Sequence, residues 1–335
     1  MNDKAHLPQH VRVSAGSAIV LGLLNAKLDA PPTTVYLMTY KRGKCSANCS
    51  FCPQAKGSQS RTDMLSRVSW PIYLTKHVIN RIDRTFKEAK TERVCIQALN
   101  YPQVFFHLQA LANAIHKQSC IPISVSCQPL QRKNIVQLAE AGIERIGIPL
   151  DAATEEIFTR IKGSSTGGFY SWKDQWKLLN EGVGVFGKGK VSTHLIVGLG
   201  ETEKHMIKTL QQCVDMAVLP GLFAFTPIPG TGLANEPQPP IEKYRRIQVA
   251  RYLIMQGTAR YEDMSFDEKE DLSEFGVDDQ ILLQVVEKGE AFLTSGCPDC
   301  NRPYYNEKPR GLMYNYPRKL SPDDVSSIKK QLGVL

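Results

Sequence analysis

The sequence predicts an α/β fold organised as a full or partial (β/α) barrel of the TIM type. From about residue 34, β-rich segments alternate with amphipathic ones, which is typical of parallel strands joined by crossover helices. In Gln131–Ala141, for example, the apolar residues fall on one helical face, and Gly142 follows as a helix stop. Six to eight such units would close part or all of a barrel, whose functional residues lie at the carboxyl ends of the strands.

The chain is expected to have three parts. Residues 1–33 form a helical lead-in, 34–294 the barrel, and 295–335 a cysteine-containing extension with a final helix. The predicted strands are Thr34–Tyr40, Arg93–Leu99, Ile121–Cys127, Glu144–Leu150, Val191–Val197, Leu222–Thr226, Tyr261–Phe266 and Ala291–Thr294. The predicted helices are Trp70–Ala89, Val104–Lys117, Gln131–Ala141, Thr202–Ala217 and Ile241–Gln256.

Composition narrows the class of protein. The 335 residues are 42% hydrophobic and 22% charged, as in ordinary globular proteins. There is no run of 18 apolar residues, and the apolar segment 18–24 is a poor signal peptide, so we expect a cytoplasmic protein with no membrane association. The net charge of +8 is spread along the chain, which does not favour nucleic-acid binding and is compatible with docking of acidic proteins.

One short motif is misleading. Gly182–Gly187 spells G-x-G-x-x-G, the pattern of dinucleotide-binding loops. That loop needs a strand before it and a helix after it, whereas here a helix precedes and a strand follows. These glycines are therefore expected to end a helix and form a turn.

Three of the nine cysteines lie within eight residues, Cys45, Cys49 and Cys52, directly after the first predicted barrel strand. Nine cysteines without an export signal favour metal binding, catalysis or burial over disulfides. A structural zinc site normally has four ligands. Three thiolates on a cubane iron–sulfur cluster would leave one iron open to a small molecule. A zinc loop completed by a distant cysteine is the structural alternative.

The spacing C-x3-C-x2-C, with Phe51 before the last cysteine, resembles the radical SAM superfamily. The resemblance implies a [4Fe-4S] cluster whose open iron binds S-adenosylmethionine. It also implies that cleavage of this cofactor gives a 5′-deoxyadenosyl radical, which abstracts hydrogen from unactivated carbon.

Further residues resemble biotin synthase over roughly 34–293. The segment Leu195–Glu201 resembles the family's adenosine-contacting element, although His194 stands where the motif has glycine or its neighbour. Asp151 matches an acidic residue that holds the cofactor ribose, and Asn100 stands near the groups that meet the methionyl amine. The resemblance therefore implies a set of cofactor-binding residues: Asn100, Asp151, Gly198, Gly200 and Glu201.

The second cluster of biotin synthase, held by three cysteines and an arginine, is only partly matched. Cys95 keeps one cysteine, whereas Ser124 and Ser192 occupy the other two places. The arginine has no counterpart that aligns well, since Arg260 is nearby but poorly aligned. These departures argue against biotin synthase itself.

A C-x2-C pair instead follows the last predicted strand, at Cys297 and Cys300, with Arg302 close behind. We expect this pair over the same barrel mouth as the first cluster, holding an auxiliary iron–sulfur cluster, and these three residues to be catalytic. Cys95 is the first choice for the completing ligand and Cys127 the second, because both lie near strand ends. A zinc knuckle is the structural alternative, and Cys120 and Cys213 are interpreted as buried apolar residues.

A barrel similar to biotin synthase with this extension resembles the two-component archaeal-type lipoyl synthases. The resemblance implies sulfur insertion into a protein-bound octanoyl chain. It implies three partners: an octanoylated lipoyl-carrier protein or domain, a second related radical SAM protein, and a ferredoxin- or flavodoxin-type electron donor. Another radical SAM reaction of cofactor biosynthesis similar to biotin synthase, and a non-catalytic iron–sulfur or zinc scaffold, are the alternatives.

Overall fold

The computed structural model describes residues 6–308 and 311–334. Residues 1–5 of the expected lead-in, and residues 309–310 and 335 of the expected extension, lie outside the described residues. Within the described part of the chain, no helix is long and apolar enough to cross a membrane.

Strands and helices alternate through most of the chain. The strands are β1 His10–Val13, β2 Thr34–Thr39, β3 Met64–Leu65, β4 Val68–Ser69, β5 Ile72–Leu74, β6 Arg93–Gln97, β7 Ile123–Ser126, β8 Arg145–Gly147, β9 Val191–Val197, β10 Val218–Ala224, β11 Ser265–Phe266 and β12 Leu272–Glu274. The helices are α1 Ala15–Val20, α2 Thr75–Lys87, α3 Val104–His116, α4 Arg132–Glu140, α5 Glu155–Ile161, α6 Trp172–Phe186, α7 Glu203–Asp215, α8 Ile241–Gln256, α9 Asp279–Lys288 and α10 Pro322–Leu332.

The main sheet has eight strands in the order β10-β9-β8-β7-β6-β2-β1-β5. The six strands from β2 to β10 pair in parallel with their neighbours, whereas β1 and β5 add an antiparallel edge. Six parallel strands with crossover helices form a partial barrel, as the sequence predicts. Because the six strands are parallel, their carboxyl ends all lie at the same end of the partial barrel.

Two of the eight predicted barrel strands are wrong. Residues 261–263 and 290–292 form 3-10 turns, and Ser265–Phe266 pairs only with β12 in a separate hairpin. Apolar runs of this length fit a short strand or a turn packed on the core, and periodicity does not separate the two.

Other boundaries also differ from the expectation. The lead-in contains β1 as well as a six-residue helix, and the predicted helix at 70–89 begins only at Thr75, after β5. The glycine motif lies at the end of α6: Gly182 and Gly184 are inside the helix and Gly187 follows its last residue. The helix stop is thus confirmed at Gly187, and the first two glycines are not a turn.

Two apolar clusters position the functional residues. The larger lies between the sheet and its helices, where strand residues such as Val94 and Ile96 pack with Leu108 and Leu111 of α3. The smaller contains Phe158 and Ile161 of α5, and the loop after β2 packs against it. This loop carries the first three cysteines.

The segment after residue 294 crosses from β10, one edge of the sheet, to β2. Ser295 Oγ accepts a hydrogen bond from the Leu222 N–H at 2.7 Å. Seven residues on, the Arg302 N–H donates to Tyr36 Oη at 3.1 Å, and the Asn301 side chain accepts from the Thr33 N–H. The extension therefore contributes a wall of the barrel interior.

Candidate active site

The first thiol loop is held by a backbone hydrogen bond within it and by backbone hydrogen bonds to two other parts of the chain. Cys45 N–H donates to Gln54 O at 2.9 Å, which closes the loop on itself. Ser46 N–H donates to Asn100 O, and Ser50 N–H donates to Ile161 O. The three half-buried thiols thereby line one cavity at the carboxyl ends of the strands.

Two predicted cofactor-binding residues lie on the same cavity. Asn100 N–H donates to Cys45 Sγ at 3.1 Å, and its side-chain amide donates to Tyr170 Oη. Asp151 is buried, and its carboxylate accepts from Lys162 Nζ at 2.6 Å. Lys162 is fully buried, and its ammonium group faces the rings of Phe158 and Tyr170. The sequence reading missed Lys162, because nothing in its local sequence distinguishes it from a surface lysine.

The predicted adenosine-contacting element forms a tight turn after β9. Gly198 and Gly200 have φ values of +103° and +106°, in the region that favours glycine. The Glu201 carboxylate accepts from the N–H groups of Gly198 and Leu199 at 2.7 and 2.9 Å. It therefore braces the turn, while Ile196 of β9 lines the cavity. The cofactor contacts of Gly198, Gly200 and Glu201 stay predictions.

A second set of thiols forms deeper in the barrel, from Cys95, Cys297 and Cys300. Cys300 Sγ lies 3.1 Å from Tyr36 Oη, and Cys95 Sγ accepts from Gln97 Nε2 at 3.1 Å. Tyr36 and Cys95 are register partners on β2 and β6. Burial raises the pKa of the Cys95 thiol, and the nearby Cys297 and Cys300 raise it further.

The depth of this set differs from the expectation that it projects over the barrel mouth. Cys297 Sγ lies 3.7 Å from Ser124 Oγ, near the amino end of β7. Ser124 also accepts from Arg93, the first residue of β6. The extension thus enters the barrel from the amino ends of the strands, opposite the first thiol loop.

Cys127 lines the same cavity, but no hydrogen bond joins its thiol to a residue of either set in the part of the chain that the structure describes. Burial alone raises the pKa of its thiol, without a contribution from any other cysteine. Cys95 is thus the barrel cysteine that the structure brings to the extension, as first expected. Cys213 is buried, as predicted, whereas Cys120 is exposed.

Arg302 reaches the barrel interior, and Arg260 does not. The Arg302 guanidinium carbon lies 3.9 Å from the centroid of the Phe223 ring, and the residue lines the cavity. Arg260 is exposed and pairs with Asp215 and Glu262 at the surface. Arg260 is therefore not a counterpart of the arginine at the second cluster of biotin synthase, in agreement with its poor alignment.

Both thiol sets line one cavity of about 410 Å³, within the size range of small-ligand sites. Its interior surface includes Phe223, Ile196 and His194 as well as the cysteines. A molecule in this space would meet groups from both ends of the barrel.

The donor groups fit iron–sulfur clusters. Burial raises the pKa of Cys49, and it raises that of Cys52 to about 12, so these thiols need a positive partner to become thiolates. Among the described residues, no three His, Cys, Asp or Glu side chains are close enough to hold a single metal ion. Three free thiols around each end of the cavity instead provide ligands of the type that iron–sulfur clusters use.

The basic residues near the first loop are not equivalent. Lys44 Nζ donates to Pro53 O and Ser60 O at 2.6 and 2.5 Å, so it holds the loop together. Arg42 is exposed and Lys41 is half-buried. Of these three residues, Arg42 and Lys41 are the ones whose charge is turned to the surface.

A partial barrel with a three-thiol loop at the carboxyl ends of its strands defines an iron–sulfur enzyme of the (β/α)-barrel class. The chain belongs to the Radical SAM superfamily, whose family model matches residues 42–213. Membership implies a [4Fe-4S] cluster and S-adenosylmethionine, as predicted from the spacing of Cys45, Cys49 and Cys52.

The curated relatives are biotin synthases at low identity. The chain is 26% identical to that of Sulfurihydrogenibium sp. over 60% of this chain and 57% of that one. It is 25% identical to the enzyme of Allorhizobium ampelinum, over 67% of this chain and 66% of that one. The mitochondrial biotin synthase of Arabidopsis thaliana is 24% identical over 67% of this chain. The chain spans about three fifths of the length of these relatives.

Two solved structures share the fold. Methylornithine synthase (PylB) has a TM-score of 0.51 at 15% identity, covering 67% of this chain and 63% of that one. HydG, a maturase of the [FeFe]-hydrogenase, has a TM-score of 0.50 at 11% identity, covering 71% of this chain and 57% of that one. At these identities the likeness supports the fold and not the reaction.

Proposed function

We propose that this protein is a radical SAM sulfur-insertion enzyme of cofactor biosynthesis. The observation that carries the proposal is the single cavity lined at one end by Cys45, Cys49 and Cys52 and at the other by Cys95, Cys297 and Cys300. Sulfur insertion requires hydrogen removal and sulfur delivery at the same substrate carbon, so both groups must face one space. The similarity to biotin synthases supports the same type of reaction.

When bound, the first cluster with S-adenosylmethionine supplies hydrogen abstraction from unactivated carbon, and an auxiliary cluster supplies sulfur. The chain's own residues position these groups. Asn100 and Asp151 lie beside the first loop, where they can hold the cofactor's polar groups. Arg302 presents its guanidinium to the second set, where positive charge favours thiolates and sulfides. Phe223, Phe225 and Ile196 give the cavity an apolar lining, against which a hydrocarbon substrate can pack.

The narrower proposal concerns the substrate. We propose a protein-bound octanoyl chain, with a lipoyl-carrier protein or domain as partner and a second related radical SAM protein completing the reaction. This rests on the likeness of the extension to two-component lipoyl synthases, whereas the curated relatives favour a substrate of the biotin-synthase type. An acidic ferredoxin- or flavodoxin-type donor would meet the exposed Arg42.

The test is an anaerobic assay of the reconstituted protein with dithionite and S-adenosylmethionine. An octanoyl-lysyl peptide and desthiobiotin (biotin without its sulfur) are offered separately, and mass spectrometry measures added sulfur. Sulfur on the peptide supports the lipoyl reaction, and sulfur on desthiobiotin supports the biotin-type reaction. Cofactor cleavage without sulfur addition to either acceptor would reject sulfur insertion on both, and absence of cleavage would leave a scaffold.

A further inference from the structure

β9 presents alternate side chains to the barrel interior. The half-buried Ser192, His194 and Ile196 line the cavity, whereas Thr193 and Leu195 between them are fully buried in the sheet. Ser192 lies near the amino end of the strand and Ile196 near its carboxyl end. His194 therefore lies midway along the interior wall.

His194 has no side-chain hydrogen bond to any group in the described part of the chain. Its ring packs against the ring of Phe223, with the two centroids 4.8 Å apart and an interplanar angle of 54°. The residue is half-buried, and its ring nitrogens are not among the fully buried polar atoms without a partner, so they open onto the cavity. An imidazole without a partner, facing a cavity, has its hydrogen-bonding atoms available to a molecule in that cavity.

The His194 ring is influenced by charged groups near both thiol sets. Asp151 and Lys162, beside the first set, and Arg302, beside the second, all act on its charge. Burial, opposed by Asp151 and aided by the two cations, lowers the pKa of His194 to about 4. At neutral pH the ring is therefore uncharged, with one N–H donor and one acceptor nitrogen.

A neutral imidazole suits a neutral polar group. A carboxylate would favour a cation, and a plain hydrocarbon chain that displaced water from the cavity would leave both ring nitrogens without a partner. The partner that satisfies the ring is a heteroatom on the substrate itself, close to the carbon that lies between the two sets.

We propose that His194 is a substrate-contacting residue that hydrogen-bonds a neutral heteroatom carried one or two carbons from the reacting carbon. This inference rests on the proposed sulfur insertion and narrows its substrate class. Two acceptors carry such a group: a cyclic urea, as in desthiobiotin, and an octanoyl chain already bearing one thiol at C6. The unmodified octanoyl chain carries none there.

The test compares His194→Leu, which removes the hydrogen bonds, with His194→Asn, which keeps a donor and an acceptor. His205→Leu is the matched control, because His205 is an exposed histidine on α7, outside the cavity. Binding of desthiobiotin, a 6-mercaptooctanoyl peptide and an octanoyl peptide to the reconstituted proteins is measured by equilibrium dialysis. The His194 ring signals of ¹⁵N-histidine protein are followed by NMR in the same titrations.

We expect His194→Leu to weaken binding of desthiobiotin or the 6-mercaptooctanoyl peptide about tenfold, and to leave binding of the octanoyl peptide unchanged or tighter, because the variant has no unsatisfied ring nitrogens. His194→Asn should recover most of the affinity, and the bound ligand should shift the His194 ring signals in the wild type. Equal affinity in wild type and His194→Leu, or equal losses for all ligands, would overturn the inference even if sulfur insertion proceeds. If none of the three binds the wild type, the inference and the proposed substrates fail together. If a ligand binds through His194 but gains no sulfur, only the proposed reaction fails.

Discussion

The two thiol sets of this barrel are assembled in different ways. Cys45, Cys49 and Cys52 come from one loop, whose geometry is fixed by hydrogen bonds within it, to Asn100 after β6 and to Ile161 at the end of α5. Cys95 comes from β6 and meets Cys297 and Cys300 across some 200 residues of chain. The first set is a local motif that depends on one loop. The second exists only if the extension lies inside the barrel, so it depends on the fold as a whole.

The largest effect is expected in the local set. Replacing Cys45, Cys49 or Cys52 by Ala should abolish S-adenosylmethionine cleavage, because each removes one of three ligands to an open-iron cluster. Release of 5′-deoxyadenosine under anaerobic conditions measures this. Undiminished release from any of the three variants would exclude the loop as the cluster site.

The ligands of the second set, Cys95, Cys297 and Cys300, are tested by comparing Cys95→Ala with Cys127→Ala. Both cysteines line the cavity, but only Cys95 lies beside Cys297 and Cys300. We expect Cys95→Ala to lose about half of the bound iron and all sulfur insertion while keeping cofactor cleavage, and Cys127→Ala to lose neither. If the two variants exchange these results, the second set is completed by Cys127.

A smaller effect separates two residues that the resemblance treats alike. Asp151 lines the cavity, whereas the Glu201 carboxylate is occupied by the N–H groups of its own turn. Asp151→Asn should weaken S-adenosylmethionine binding about tenfold. Glu201→Gln should leave that affinity nearly unchanged and lower the free energy of unfolding by about 1–3 kcal/mol, because a buried charged acceptor is lost.

Calorimetric titration and denaturant unfolding measure these two quantities separately. Lys162→Met serves as a control for Asp151, since it removes the buried partner of that carboxylate and should reduce stability most strongly, by about 3–5 kcal/mol. Equal losses of cofactor affinity at Asp151 and Glu201 would show that the turn contacts the cofactor directly.

The smallest expected effect is the contribution of His194, between the two sets, to the pH dependence of the free energy of unfolding. The pKa of His194 is about 4 in the folded chain and about 6.5 when unfolded. Between these values the unfolded chain binds more protons, so the free energy of unfolding falls as the pH is lowered from about 6.5 towards 4. His194→Leu should make this dependence shallower by up to about 1 kcal/mol per pH unit. An unchanged slope in urea unfolding at several pH values would show that the ring is freely solvated.

The sequence was sufficient for what is locally encoded. The strand–helix alternation predicted the barrel, and the spacing of Cys45, Cys49 and Cys52 predicted the superfamily. Contacts across the fold were not readable in the same way. The burial of Lys162, the inward position of Arg302 and the depth of Cys297 depend on how distant segments pack. For this reason the expectation of a shared barrel mouth was wrong, although both thiol sets line one cavity.

The extension also shows why its two ends were read with unequal success. The helix α10 has a serine cap, a proline at its first position and acidic residues in its first turn, all visible in the sequence. The segment that carries Cys297 and Cys300 has positive φ values just after Cys297, at Asp299, Arg302 and Tyr304. A positive φ cannot be predicted from these residue types, because the conformation is held by tertiary packing inside the barrel.

The central claim is that one cavity serves two clusters, one bound by a loop and the other by the extension. It is tested most directly by the iron and sulfide content of the anaerobically reconstituted protein, compared with the Cys297→Ala/Cys300→Ala double variant, with Mössbauer spectra to identify the clusters. The account predicts about eight irons in the wild type and about four in the variant, which should still cleave S-adenosylmethionine but insert no sulfur. About four irons in both proteins, with zinc bound at Cys297 and Cys300 in the wild type, would contradict it.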